Sequence, residues 1–360
     1  MFRNSSSRFF PTPSFLEEPS FGLDISDESV KFVELTTTKK GIRLGRHGER
    51  KIPVGIIESG KIKDSNKMTD ILIALKKDEG IKSVRVSLPE EQVYMFKLNL
   101  EKSGLNDIRE GIELVLEEHI PIPTEDTVFD YEILKENDNS LELQIAAIPR
   151  NVVENYLSIF KNSLISVQSF ELEAQAISRA VTKKGDTDTY MIVDFGEKRT
   201  GIFIVSSGMV MFASTLDFGG LTLSNMVMKS FGISFTEAEK IKQQYGLQRN
   251  LDNKEIFAVL LNGVSILRDE ISKHFLYWHT HKDEEGNSNS TIKKIILCGG
   301  DSNLIGFSDY LAVSMKSKVE IANVWSNIIS TQDYIPDISF SKSLSYATAL
   351  GLALGDFEHD

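Results

Sequence analysis

The chain has 360 residues, 41% hydrophobic and 26% charged, which suits a globular protein of two domains or one large bilobal unit with its own cores. Its net charge of −12 argues against general binding to DNA or anionic lipid, since both repel an acidic chain at long range. Cys298 is the single cysteine, so no disulfide framework forms within the chain, and no apolar run approaches the roughly 20 residues that span a bilayer.

Residues 1–20 mix Ser, Pro and Phe without a period and read as a flexible or surface-docked tail. No apolar stretch follows Arg3 and Arg8, so a secretory signal is not expected. From Phe21 three strands are predicted: FGLDIS, VKFVELTT and IRLGRHGERKIP. Residues 66–79 have helical spacing, with Met68, Ile71, Leu72 and Leu75 on one face. VRVSLP and VYMFKLNL are strands. A helix over 105–119 stops before Ile120-Pro-Ile-Pro123, and a strand pair over 127–150 turns at Asn137–Ser140.

Helices follow at 151–162 and 173–183, with a strand at 165–170 between them. Three strands come next: YMIVDF, GIFIVS and MVMFASTL. A long helical stretch over 220–282 is broken near Gly232, Gly246 and Asn250. After a loop at 283–291, IKKIILC is a strand, Gly299-Gly300 a turn, and helices cover 303–316 and 342–354. This mixture of strands, hairpins and helices predicts an α/β protein with mixed sheets.

Two segments repeat one another. Leu23-Asp24-Ile25-Ser26 runs into Val30-Lys31-Phe32-Val33, and Val193-Asp194-Phe195-Gly196 runs into Thr200-Gly201-Ile202-Phe203. Each is an apolar strand ending in aspartate, a tight turn and a return strand, as expected of two related halves facing one cleft. Tight turns of small residues aim backbone N–H groups at phosphate oxygens, and an aspartate at each strand end can hold waters around Mg²⁺. Lys31 on the return strand can reach a phosphate as a point charge. Taken alone, either hairpin is an ordinary β-turn. ILCGGDSN adds a strand, a double glycine and a helix start, where a base or ribose can approach the backbone. Glu239 and Lys242 share a helix face at i,i+3, placed to meet ribose hydroxyls and base, or to form a solvated ion pair.

In this order the four elements resemble the actin, heat-shock-chaperone and sugar-kinase superfamily, whose phosphate-1, phosphate-2 and adenosine motifs they match. The finer resemblance is to the PilM family of type IV pilus assembly proteins. It rests on FGLDISDESVKFVEL, FELEAQAISRAV, DFGGLTLSNMVMKSFGISFTEAEKIKQQYG and ATALGLAL, over about residues 21–355. The resemblance implies an actin-like (ribonuclease-H-like) bilobal fold. Its parts would be a tail (1–20), a first lobe (21–84, 166–187 and 336–360), an inserted FtsA/PilM-type subdomain (85–165) and a second lobe (188–335). It implies ATP with Mg²⁺. Phosphate contacts would come from Ser26, Asp27 and Lys31 on the first hairpin and Gly196, Glu197 and Thr200 on the second. Adenosine contacts would come from Gly220, Glu239, Lys242, Gly299, Gly300 and Asp301. Asp24 and Asp194 would hold the metal through water, with Glu173 and Asp194 as catalytic residues. It also implies a cytoplasmic protein held at the inner membrane by a PilN-like partner, whose short N-terminal tail lies in a groove between the inserted subdomain and the lobe core.

Three departures bear on activity. Asp27 and Glu28 occupy a loop that more often carries small hydroxyl residues, Glu197, Lys198 and Arg199 fill the second loop, and Asp301 stands where a small residue is common. Lys198 or Arg199 is placed to offset the added negative charge. The expectation is tight Mg-ATP binding with slow or no turnover. Other readings stay open: an FtsA-like filament former, which would usually end in an amphipathic membrane helix; a small-molecule kinase, which would need a substrate base and sugar pocket; and a nucleotide-free structural protein. His274, His279 and His281 lack the i,i+4 spacing of a helical metal site, and Cys298 reads as a small strand residue.

Overall fold

In a computed structural model the chain is described over residues 20–39, 41–102, 107–249, 253–281, 288–328 and 334–357. The expected tail lies outside the described residues except for Ser20, which is buried and donates its hydroxyl to Asp356 at 2.6 Å.

The first sheet uses β1 (Phe21–Ile25), β2 (Ser29–Thr38) and β3 (Gly41–Lys51) as an antiparallel meander. A small hairpin, β4 (Ile57–Glu58) and β5 (Lys61–Ile62), leads to helix α1 (Ser65–Glu79), which buries Met68, Leu72 and Leu75 as its spacing predicts. Strand β6 (Ser83–Leu88) then joins β1 in parallel.

An insertion follows, comprising β7 (Tyr94–Glu101), α2 (Ile108–His119), β8 (Thr127–Glu136) and β9 (Ser140–Pro149). Its three-stranded sheet has the order β7-β9-β8, and its core centres on Leu98, Ile112, Leu116, Leu143 and Ile145. The expected limits of 85 and 165 are wider than this sheet. Residues 83–88 pair within the first sheet, and α3 (Arg150–Ser163) buries Tyr156, Ile159 and Phe160 in the same core as α1. Strand β10 (Ser166–Leu172) completes the first sheet, order β10-β6-β1-β2-β3, and α4 (Glu173–Val181) follows at once.

The second sheet repeats the plan. Strands β11 (Thr189–Phe195), β12 (Thr200–Ser206) and β13 (Met209–Leu216) form the meander. Helices α5 (Gly220–Phe231), α6 (Phe235–Tyr245) and α7 (Lys254–Thr280) come next, with breaks at Gly232 and Gly246 where positive φ favours glycine. β14 (Ile292–Cys298) runs parallel to β11, α8 (Phe307–Met315) follows, and β15 (Val319–Ile321) runs parallel to β14. The order β13-β12-β11-β14-β15 matches the first sheet strand for strand.

Helix α9 (Phe340–Ser343) leads through a 3₁₀ turn to α10 (Ala347–Leu354), every residue of which is buried. One core cluster joins α4 and α10 to residues of both sheets, among them Val33, Tyr190, Ile192 and Ile296. The two helices therefore lie in the seam between the lobes. Gly22 and Gly351 permit this. A Cβ on Gly22 would lie 1.9 Å from the Ala349 carbonyl oxygen, and one on Gly351 would lie 1.7 Å from that of Ala176. Among the described residues no helix is long and apolar enough to cross a membrane.

Candidate functional site

A cleft of about 240 Å³ opens between the carboxyl ends of β1 and β11. The expected residues Asp24, Ser26, Asp27, Lys31, Glu173, Asp194, Gly196, Glu197, Gly299, Gly300 and Asp301 all line it. Nine carboxyl side chains and three cations face it among the described residues, so it is strongly acidic.

The strand ends put Asp24 and Asp194 on opposite walls. Asp24 is paired in register with Lys31 across its hairpin, and Asp194 with Gly201 across the other. Asp24 accepts from the Ser87 hydroxyl at 3.2 Å. Burial raises the Asp24 carboxyl above the usual range against the pull of Lys31. Burial and the charge of Asp24 push Asp194 up to about 6. Glu173, the first residue of α4, is raised well above the usual range by burial and then by Glu91 and Asp24. Two facing buried carboxylates short of positive charge are a donor set that fits a hydrated Mg²⁺. Gly299 completes the cradle: at φ 86° a Cβ there would sit 2.5 Å from both Asp194 Oδ1 and the Phe195 carbonyl oxygen.

The two hairpin loops are less open than their motifs suggest. Ser26 Oγ accepts from the amides of Glu28 and Ser29 at 3.3 and 3.2 Å, and the Gly196 amide bonds the Arg199 carbonyl at 2.9 Å. Asp27 accepts from the amides of Ser59 and Gly60, both at 3.0 Å. Thr200 is fully buried and donates its hydroxyl to the Phe218 carbonyl at 2.6 Å. The added acids meet the added bases across the cleft. Arg199 Nη2 lies 2.7 Å from Asp27 Oδ2, and Lys198 Nζ lies 2.9 Å from Glu28 Oε1.

Beside the double-glycine turn Lys242 is 3% exposed and contacts Asp301 at 2.7 Å, Glu239 at 3.1 Å and the Gly220 carbonyl at 3.1 Å. Glu239 also bonds Ser224. The Asp301 carboxyl lies so close over Gly220 that a Cβ there would be 2.0 Å away. These five residues form one network, with Lys242 at its centre.

Two acidic participants were not expected from sequence. Glu90 and Glu91 form the turn after β6, over Glu90–Gln92. Glu90 accepts from the amide of Ala174 at 3.1 Å and so caps α4, whose own N-cap residue Leu172 supplies no side-chain bond. Burial pushes Glu90 up to about 7. The sequence signal, Pro89 followed by two glutamates, is silent about partners more than 80 residues away. The three histidines pack on aromatic rings instead: His274 and His279 meet Phe212 and Phe275 at a tilt, and His281 stacks on Tyr277. Cys298 is buried, its sulfur 3.7 Å from Asp194 Oδ1.

A repeated five-stranded sheet, two facing aspartates and a double-glycine turn define the cleft, and the sequence profile of the type IV pilus assembly protein PilM family matches residues 22–357. The chain belongs to the PilM family. Among solved structures it is similar to a PilM–PilN type IV pilus biogenesis complex, with TM-score 0.78, 18% identity, and coverage of 95% of this chain and 99% of that one. It also resembles the ethanolamine utilization protein EutJ of Carboxydothermus hydrogenoformans (TM-score 0.57, 17% identity, 96% and 91% coverage). MreB5 of Spiroplasma citri bound to ADP aligns at TM-score 0.55 and 15% identity, over 95% and 96% of the two chains. The fold is therefore actin-like. In sequence the chain is 18% identical over 248 residues to the cell division protein FtsA of Staphylococcus epidermidis, a match covering 60% of this chain and 51% of that protein. The chain thus spans about half the length of that relative.

A second cavity, of about 400 Å³, lies between the inserted sheet and the first lobe. Met95, Phe129, Tyr131, Ile148 and Phe170 contribute apolar surface, and Asp130, Glu132 and Glu171 contribute acid. Gln144 is 5% exposed there, and its Oε1 has no hydrogen-bond partner among the described residues.

Proposed function

We propose that this PilM-family chain works on the cytoplasmic face of the inner membrane, in assembly of a type IV pilus or a related type II secretion machine. There it grips the N-terminal cytoplasmic tail of a PilN-like membrane protein. The observation that carries this reading is the match of residues 22–357 to the PilM family, joined to a fold shared with a chain of a PilM–PilN complex. The apolar groove beside the inserted sheet suits an extended peptide. Its pockets take side chains, and Gln144 Oε1 offers an acceptor for a peptide N–H.

ATP with Mg²⁺ is the ligand proposed for the cleft, acting as a structural ligand or switch. Asp24 and Asp194 would hold the hydrated metal, which neutralises charge on the phosphates when bound. Lys31 would face the phosphates, and Gly299 and Gly300 would leave room for the nucleoside. Glu173 and Asp194 would orient water. The loop acids, and the ties of Lys198, Arg199 and Lys242 to other side chains, favour slow or absent turnover.

The test is fluorescence anisotropy of a peptide copied from the cytoplasmic N-terminus of the PilN-like protein of the same organism. Saturable binding is expected, weakened about tenfold, or ~1.4 kcal/mol, by Tyr131→Ala. No binding by the folded chain overturns the partner reading. Sustained phosphate release from ATP by the pure protein, abolished in Asp194→Ala, overturns slow turnover.

A further inference from the structure

One side chain crosses the cleft and touches three parts of the molecule. Arg199 comes from the second-lobe loop and is 21% exposed. Its Nη2 pairs with Asp27 of the first-lobe loop at 2.7 Å, and its Nη1 pairs with Glu91. Asp27 is itself anchored on the β4–β5 turn by the Ser59 and Gly60 amides. Glu91 lies in the turn that carries the chain from the first sheet into the inserted sheet. Gln92 of that turn donates to the Ser59 carbonyl at 2.9 Å. Space at the junction is tight: a Cβ on Gly60 would lie 2.2 Å from Pro89 Cβ and 2.8 Å from Glu91 Oε1.

Arg199 Nε also lies 3.3 Å from the exposed Asp217, but the two largely buried carboxylates make the directional, charge-assisted bonds that surface pairs lack. Losing the guanidinium leaves Asp27 and Glu91 as neighbouring acids without a cation, with Asp217 and Glu173 close enough to Glu91 to add repulsion. Phosphate oxygens bind a planar guanidinium in the same forked geometry as a carboxylate.

We propose that Arg199 is a clasp that holds both phosphate loops against the root of the inserted subdomain in the ligand-free protein. Phosphates entering the cleft open it by drawing Arg199 away from Asp27 and Glu91. The root then loses its anchor. Leu88 and Met95, which flank that root, line the groove beside the inserted sheet, so the clasp reports cleft occupancy to the groove. This last link rests on the nucleotide and peptide readings given above; the clasp itself does not.

The experiment is hydrogen exchange of the full chain followed by mass spectrometry, on wild type, Arg199→Ala and Glu91→Gln, first without ligand. Arg199→Ala should raise exchange about tenfold at residues 26–29 and 90–95 together, with α7 unchanged. Glu91→Gln keeps the side-chain shape and should raise 90–95 alone, which preserves the test if the arginine variant does not fold. Unchanged exchange at 90–95, or an equal rise everywhere, overturns the clasp. The same set is then measured with Mg-AMPPNP, its binding followed by calorimetry. In wild type, exchange at 90–95 should rise toward the Arg199→Ala level, with no further rise in the variant. Binding without that rise overturns phosphate-driven opening. Absence of binding counts against the nucleotide reading instead, and the ligand-free comparison still decides the clasp.

Discussion

The two hairpins at the cleft share a strand plan and differ in nearly every loop side chain. In the first, Asp24 faces Lys31 across the ladder, whereas in the second Asp194 faces Gly201. Three residues beyond each aspartate the contrast is sharper. Asp27 is 7% exposed and takes two amides and a guanidinium, whereas the Glu197 side chain is 53% exposed and meets Lys51 at 3.6 Å. The first loop is acidic and tied to its own lobe, and the second supplies Lys198 and Arg199 across the gap. A repeat that starts symmetric gains a fixed partner when its two copies take opposite charge, because each loop then satisfies the other in a site sheltered from water.

The backing of the hairpins offers the strongest way to break this comparison. The first is backed by α10 against Gly22, where any Cβ meets main-chain atoms that cannot move aside. Gly22→Val should cost at least about 3 kcal/mol, measured by denaturant unfolding or as loss of soluble protein. A variant within about 0.5 kcal/mol of wild type would mean that α10 does not pack there.

Next is the acid burden of the first lobe. Glu90 is raised from 4.5 to about 7 by burial, so ionising it opposes folding. Below pH 4.5 it is protonated whether folded or unfolded and costs nothing. Between 4.5 and about 7 the penalty grows, reaching about 3 kcal/mol above the folded value. Glu90→Gln should therefore be more stable than wild type at pH 8, with the advantage shrinking to nothing by pH 4. Thermal melts at the two pH values read the difference, and an equal shift at both would assign it to packing.

The smallest effect separates the two loops directly. Asp27→Ala leaves two amides without their acceptor and takes one carboxylate from Arg199, and should cost about 2 kcal/mol, while Glu197→Ala should stay within about 0.5 kcal/mol. Equal costs in urea unfolding would remove the contrast.

Much of the fold was legible because its signals are local. The Asp24 and Asp194 hairpins, the Met68–Leu75 stripe and the breaks at Gly232 and Gly246 each rest on a few neighbouring residues. The β4–β5 hairpin and β15 were missed, being two and three residues long and carrying no periodicity. The last helix was read as one, although Leu344–Tyr346 passes through a 3₁₀ turn whose packing the pattern does not encode. In the candidate site, motif order was enough to gather the eleven expected residues that line the cleft, but Thr200, Gly220, Glu239 and Lys242 do not line it, and the state of the side chains was not legible. Lys242 and Asp301 read as possible ligand contacts and lie bonded to each other; Thr200 reads as a loop hydroxyl and lies buried under Phe218.

By itself the sequence determined the repeated halves, the acidic character and the aspartate at each strand end, because strand period and turn chemistry act over a few residues. Only the tertiary structure decided that Arg199 meets Glu91, 108 residues away, and that Glu90 caps a helix 84 residues on. Both contacts depend on how the two sheets close on α4 and α10. That closure is set by burial of the whole seam, to which no single segment contributes a readable signal.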